Sequence, residues 1–164
     1  MALILEDGTG SNPDANSYIT IEKLRSYADL RGVDLTKLLN IEVERLIIKA
    51  MDKLENPAMS FKGFPTSDSQ PLTWPRSGVY DVERPGKMSK VDEIPRLLEQ
   101  GLAALVFEEL AGEPEQRATK RKLGDLEIVY SNDPPKQNFI SAFDSATALL
   151  APLRELNGLG MVRG

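Results

Sequence analysis

The chain has 164 residues and a formal net charge of −5, contains no cysteine or histidine, and is 41% hydrophobic, which is enough for one domain with a buried core. Because cysteine and histidine are absent, the thiol nucleophile, the imidazole base and the two commonest soft metal ligands are excluded, so we expect no enzyme, no metal and no cofactor. The negative charge is also the wrong sign for a protein whose main partner is a phosphate backbone.

The N-terminal segment, residues 1 to 19, predicts a loop after a short strand-like start, because turn-forming residues crowd together there. Its opening apolar run is too short for a secretory signal or a membrane span, so we expect synthesis in the cytoplasm and no membrane partner. A first helix is predicted from Thr20, whose hydroxyl can cap the first turn, to Arg31, after which Gly32 provides a stop.

The second helix has the clearest pattern in the sequence, with Asn40 as its predicted cap. Its apolar residues repeat at three- and four-residue steps, as on one buried helix face: Val43, Leu46, Ile47, Ala50, Met51 and Leu54. Asn56-Pro57 ends this helix.

The longest irregular stretch, about residues 57 to 91, contains five prolines and three glycines. Loops longer than about 15 residues are usually functional or disordered. This one holds Trp74, Pro75, Arg76 and Tyr80, and tryptophan, arginine and tyrosine dominate binding hot spots. We predict that these residues contact a partner; the alternative is that the aromatic residues anchor the loop to its own core.

A third helix is predicted from about Glu93 to Leu110, with Asp92 as its cap. A basic cluster follows it: Arg117, Lys120, Arg121 and Lys122. Two interpretations of this cluster stay open, because it could bind phosphate or an acidic partner, or only keep a loop soluble.

Alternating residues from Leu126 to Tyr130 favour a short strand, and a last helix is predicted from about Phe139 to Leu150. The predicted fold is therefore mainly α, with about four helices, long loops and at most a short β element. We expect one domain, residues 1 to 153, followed by a flexible C-terminal tail, residues 154 to 164.

Five stretches of the sequence resemble, in order, a family of small tailed-phage and prophage proteins: ALILEDGTGSNPDANSYITIEKLRSYADLRG, LTWPRSGVYD, IPRLLEQGLAALVFEELAG, KLGDLEIVYS and LLAPL. The loop with Trp-Pro-Arg-Ser-Gly-Val-Tyr is the most specific piece. Members are labelled DnaT-like single-stranded-DNA-binding proteins, while their helical pattern resembles the head-tail connector (adaptor) family. Two segments depart from the family pattern, residues 56 to 63 and 157 to 164.

The connector resemblance implies a head-tail-connector-like bundle that assembles into a ring, commonly a dodecamer, in the neck of the virion. Such a ring joins the portal protein to the tail-terminator or stopper protein and extends the channel through which genomic DNA passes without specific binding. No catalytic residue comes with this resemblance.

The charge balance favours the connector over the DNA-binding label. Single-strand binders combine a positive groove with stacking aromatic residues, whereas this chain is acidic and only 6% aromatic. We therefore expect a structural virion protein of viral assembly, made in the cytoplasm of the bacterial host, that binds single-stranded DNA weakly. The alternative is a DnaT-like single-stranded-DNA-binding protein.

Overall fold

The structure is a computed structural model that describes residues 2–82, 84, 86–90, 92–111, 120–123, 126–129 and 142–155. In residues 120–123, 126–129 and 142–144 only the backbone is described. The predicted start of the last helix at Phe139, and residues 156–164 of the predicted tail, lie outside the described residues.

The first helix, α1, spans Ile21–Asp29 and begins where its cap predicts. The Thr20 hydroxyl accepts a hydrogen bond from the Lys23 backbone N–H at 3.2 Å, which satisfies one of the free donors of the first turn. Leu24 and Ala28 lie on its buried face. Both the cap and the buried face of this helix therefore follow from its sequence.

The second helix, α2, spans Asn40–Leu54, and the predicted cap Asn40 is its first helical residue instead. Glu42 stabilises the start of α2, because its carboxylate accepts a hydrogen bond from the backbone N–H of Leu39 at 2.8 Å. The Asn40 side chain instead accepts a hydrogen bond from the Arg25 guanidinium at 3.0 Å. This contact ties the start of α2 to α1.

The third helix, α3, spans Arg96–Ala111 and is the central element, packed against α2 and against the fourth helix, α4, which spans Ala142–Leu150. Gly101 permits the close approach of α4, because a Cβ at this position would lie 2.4 Å from Leu150 Cδ2. The helix begins at Arg96 rather than at the predicted Glu93. The proline at position 95 explains the delay, because its ring disfavours the helical conformation for the preceding residue, Ile94.

The β structure consists of two short antiparallel pairs among the described residues. β1 (Phe64–Pro65) pairs with β2 (Arg76–Ser77), and β3 (Lys120–Leu123) pairs with β4 (Leu126–Val129). The predicted mainly α fold with four helices and a short β element is thereby confirmed. No helix in the described part of the chain is long and apolar enough to cross a membrane.

The connection from α2 to α3 is more regular than its prolines and glycines predict. Beyond the β1–β2 pair, the Ser89 backbone N–H donates to the Val79 carbonyl at 2.8 Å. Residues 63–65, 76–81 and 87–89 thus form a small ladder of three segments, called here the loop ladder. The breakers separate its segments and do not prevent them from pairing.

The end of the described chain returns to this connection. The Lys62 backbone N–H donates to the Leu153 carbonyl at 2.9 Å, and the Glu155 backbone N–H donates to the Ser60 carbonyl at 3.0 Å. Residues 60–62 are therefore held from two sides, by the loop ladder and by the residues that follow α4.

Gly63 lies at the closest approach within the loop ladder. Its φ is +74°, and a Cβ there would lie 2.1 Å from the Ser77 carbonyl oxygen. Gly86 has a similar φ of +84°, yet nothing lies within 4 Å of its Cβ position. We expect Gly63→Ala to lower the free energy of unfolding by about 1 to 3 kcal/mol more than Gly86→Ala, because only the first change displaces packed backbone. Urea denaturation of both variants measures the difference, and equal losses would contradict the close approach at Gly63.

Candidate functional site

A buried hydrogen-bond network around Tyr18 anchors the loop to the helices. The Tyr18 hydroxyl donates to Glu55 Oε1 at 2.7 Å and accepts the Trp74 backbone N–H at 3.0 Å. Glu55 Oε2 accepts the Thr73 backbone N–H at 2.8 Å. Burial, and then the Glu55 charge, raise the pKa of Tyr18 above its ordinary value, so the hydroxyl keeps the proton that it donates.

Trp74 lies in the core and serves as the anchor of the loop. Its side chain is 0% exposed and packs edge-to-face on Phe61, with ring centroids 6.0 Å apart. Pro75 is buried beside it. Because both side chains are buried within the chain, they favour the alternative interpretation, in which the loop is anchored to its own core, and their predicted contact with a partner stays a prediction. Burying the large apolar surface of the Trp74 side chain inside the domain is favourable, and it helps to stabilise the long loop that carries this residue.

Arg76 holds the loop ladder together. Its guanidinium donates to four carbonyl oxygens, those of Lys62 at 2.8 Å, Gly63 at 2.6 Å, Phe61 at 3.2 Å and Thr73 at 3.3 Å. Burial lowers the pKa of Arg76 from its ordinary value, although arginine remains charged at any physiological pH. Four of the five guanidinium N–H donors are thus bonded within the loop, so Arg76 positions the loop backbone, and its predicted contact with a partner stays a prediction.

Three large apolar side chains of the loop ladder are exposed, those of Phe64, Tyr80 and Met88, and together they are called here the outer face of the loop. Phe64 is 76% exposed and Tyr80 is 69% exposed, and all other described aromatic side chains are buried or half-buried. The Phe64 ring lies over Gly78, 4.0 Å from its Cβ position, and Met88 is the bridge partner of Tyr80. Tyr80 is thus accessible to a partner, as the sequence predicts for this residue.

Phe64 is a candidate that the sequence reasoning missed. It lies between Gly63 and Pro65, in a stretch where no apolar periodicity gives a ring a reason to be buried. That isolation is the signal that could have identified it, because a large aromatic residue without apolar neighbours has no core to join.

Basic residues concentrate in two segments of this acidic chain. Residues 57–90 contain five basic and three acidic residues, a net charge of +2. Residues 117–122 contain four basic and no acidic residues, so the remainder of the chain carries −11. The two segments stand out strongly against that acidic background.

The structure places the predicted basic cluster mostly on a strand. Lys120, Arg121 and Lys122 belong to β3, where Lys122 pairs in register with Glu127 of β4. Arg117 lies outside the described residues. Three of the four basic residues therefore belong to an antiparallel pair, whereas the sequence predicted a strand only from Leu126 to Tyr130.

The described residues present a surface with the chemistry of a binding site. No group of three or more acidic side chains among them lies close enough together to hold a metal ion. The described residues do present exposed aromatic side chains on a segment of net positive charge. This combination suits a ligand that carries both negative charges and planar apolar groups.

Comparison with known proteins decides between the two labels that the sequence resemblance left. The model of the family described as "Putative DnaT-like ssDNA binding protein" matches residues 1–164. No head-tail connector family matches the chain. No curated protein and no solved structure shows significant similarity to it.

The predicted assignment to the connector family is therefore wrong. The predicted ring on the portal and stopper proteins, and the predicted passage of genomic DNA through that ring without specific binding, are wrong with it. The error came from the net charge of −5, which averages over the chain. A polyanion responds to local potential, and an acidic protein can still carry positive segments. Matched over residues 1–164, the chain belongs to the family described as "Putative DnaT-like ssDNA binding protein".

Proposed function

We propose that this protein is a non-enzymatic single-stranded-DNA-binding protein. The family match over residues 1–164 is the observation that carries the proposal. The two positive segments, residues 57–90 and 117–122, support it, because neutralising phosphates and releasing their counterions supplies most of the sequence-independent affinity for nucleic acid.

The basic cluster on and before β3 is the phosphate-binding element of this proposal. Four cations within six residues provide a dense positive potential along one short stretch of chain. Arginine offers a planar fork of donors and lysine a compact charge, and both bind phosphate without reading the base sequence. The expected binding is therefore tolerant of sequence.

A direct titration tests the proposal. We expect a fluorescently labelled oligothymidylate to bind with a dissociation constant of about 1 μM or less at about 0.15 M salt, the tight end of non-specific nucleic-acid binding. A hairpin duplex of the same total length is the competitor, and it should displace the single strand poorly. Absence of binding, or equal preference for the duplex, would contradict the proposed function.

The family match does not test where the protein acts. The location in the virion neck and synthesis in the bacterial cytoplasm therefore stay predictions, as does the absence of enzymatic activity. The outcome of the titration does not depend on the location, the place of synthesis or the absence of enzymatic activity.

A further inference from the structure

We propose that the outer face of the loop, with Phe64 and Tyr80 as its two rings, is a stacking surface for the bases of single-stranded DNA. This inference rests on the proposed function. It adds that the DNA bases contact a surface distant in sequence from the basic cluster around β3, which binds the phosphates.

The two rings are presented by paired backbone. Phe64 is the first residue of β1 and lies opposite Ser77 of β2, while Tyr80 forms an antiparallel bridge with Met88. Val79, which precedes Tyr80, is buried against Gly63 and fixes the backbone between the rings. Each ring therefore projects from a backbone position that hydrogen bonds hold in place.

The support beneath the rings is anchored to the core. Three hydrogen bonds of Arg76 hold the backbone carbonyls of residues 61–63, immediately before Phe64. The buried Trp74 lies just before β2. A surface held in this way loses little conformational freedom when a ligand binds, which favours affinity.

The charge around the outer face suits a polyanion. Lys62 precedes Phe64 by two residues and Lys87 adjoins Met88, and both side chains are exposed. Asp81, next to Tyr80, forms an ion pair with Arg84 at 2.5 Å, so its negative charge is compensated. The Lys62 ammonium also donates to the Pro152 carbonyl at 2.9 Å and contributes its charge from there, whereas Lys87 is available to bind a phosphate directly. Single-strand binders combine aromatic and cationic contacts in this way.

A protein partner would require a different chemistry on this face. Interfaces between proteins bury a packed apolar centre, whereas here two separate rings lie among exposed lysines on a segment of net charge +2. Isolated rings flanked by cations fit stacked bases better than a second apolar surface.

The test compares oligothymidylate with an abasic strand of the same length and charge, for wild type and for the variants Phe64→Ala and Tyr80→Ala. Each substitution should weaken binding of oligothymidylate about 5- to 150-fold, the effect of losing one stacked base, and should leave binding of the abasic strand unchanged. Phe64→Tyr and Tyr80→Phe keep a ring and should retain affinity. Leu30→Ala, at an equally exposed apolar residue after α1, is the matched control and should change neither strand.

The outcomes separate the two proposals. If wild type binds oligothymidylate and both alanine variants bind it equally well, the stacking surface is refuted while the proposed function stands. Equal wild-type affinity for the abasic strand also refutes the stacking surface. If wild type binds neither strand, the proposed function itself fails and this inference fails with it. Circular dichroism of the variants confirms that any loss of affinity is not a loss of fold.

Discussion

Replacing Trp74 by alanine should lower the free energy of unfolding by about 3 to 5 kcal/mol, the usual cost of truncating a large aromatic residue in a core. Trp74 is completely buried and contacts Phe61, and its backbone N–H is bound to Tyr18. The smaller side chain leaves a cavity that the surrounding structure fills only in part. Urea denaturation followed by circular dichroism measures the loss, since tryptophan fluorescence disappears with the residue.

Trp74→Phe is the matched control. It keeps an aromatic ring against Phe61 and removes an indole N–H that finds no hydrogen-bond partner among the described residues. The expected loss is clearly smaller than for alanine, because less volume is removed; the unpaired indole N–H is lost in both variants and does not affect the comparison. A loss below about 1 kcal/mol for Trp74→Ala would contradict the core position, since substitutions with so small an effect are typical of the surface.

The second large effect concerns the salt dependence of DNA binding when the basic cluster is neutralised. Each phosphate contact with a single strand contributes about 0.7 to the slope of log affinity against log salt concentration. Changing Arg117, Lys120, Arg121 and Lys122 to glutamine should therefore reduce the slope by up to about 2.8. Between 50 and 200 mM salt, wild-type affinity should fall by up to about fifty-fold more than that of the variant. Fluorescence anisotropy across this range of salt concentration measures both slopes.

A change in net charge alone could also reduce the salt dependence of binding, so a control variant must change the net charge by the same amount. Glutamine at Arg31, Lys37, Arg45 and Lys49 removes the same charge from exposed positions of α2 and of the connection between α1 and α2. Its slope should match that of wild type, because counterion release counts contacts with phosphate and not total charge. Equal slopes for both glutamine variants would show that the basic cluster makes no direct phosphate contact.

The helices could be predicted from the sequence because their determinants are local. Thr20 caps α1 as its hydroxyl predicts, and the apolar spacing of α2 identifies its buried face. The loop ladder could not be predicted, because its pairing depends on Arg76 reaching carbonyls up to 15 residues away. A residue type and its neighbours along the chain do not reveal such a contact.

The candidate site was predicted only in part, for a related reason. Trp74 and Tyr80 belong to residue types that serve both cores and interfaces, and only the tertiary structure separates the buried Trp74 from the exposed Tyr80. Phe64 carries no motif, so its exposure becomes visible only when the loop ladder is built. The net charge led to the wrong functional prediction, because a total of −5 does not show that two segments of the chain are positive.

The pairing of residues 60–62 with the residues after α4 has a consequence for the order of folding. Lys62 also donates from Nζ to the Pro152 carbonyl, across 90 residues of sequence. Contacts of such high sequence separation form late, because the entropy of closing the intervening chain must be lost first. During synthesis α2 and α3 can pair as soon as they emerge from the ribosome, but the loop between them stays incomplete until α4 follows. Pulsed hydrogen exchange during refolding should therefore protect the Lys62 and Glu155 amides together, after those of α2.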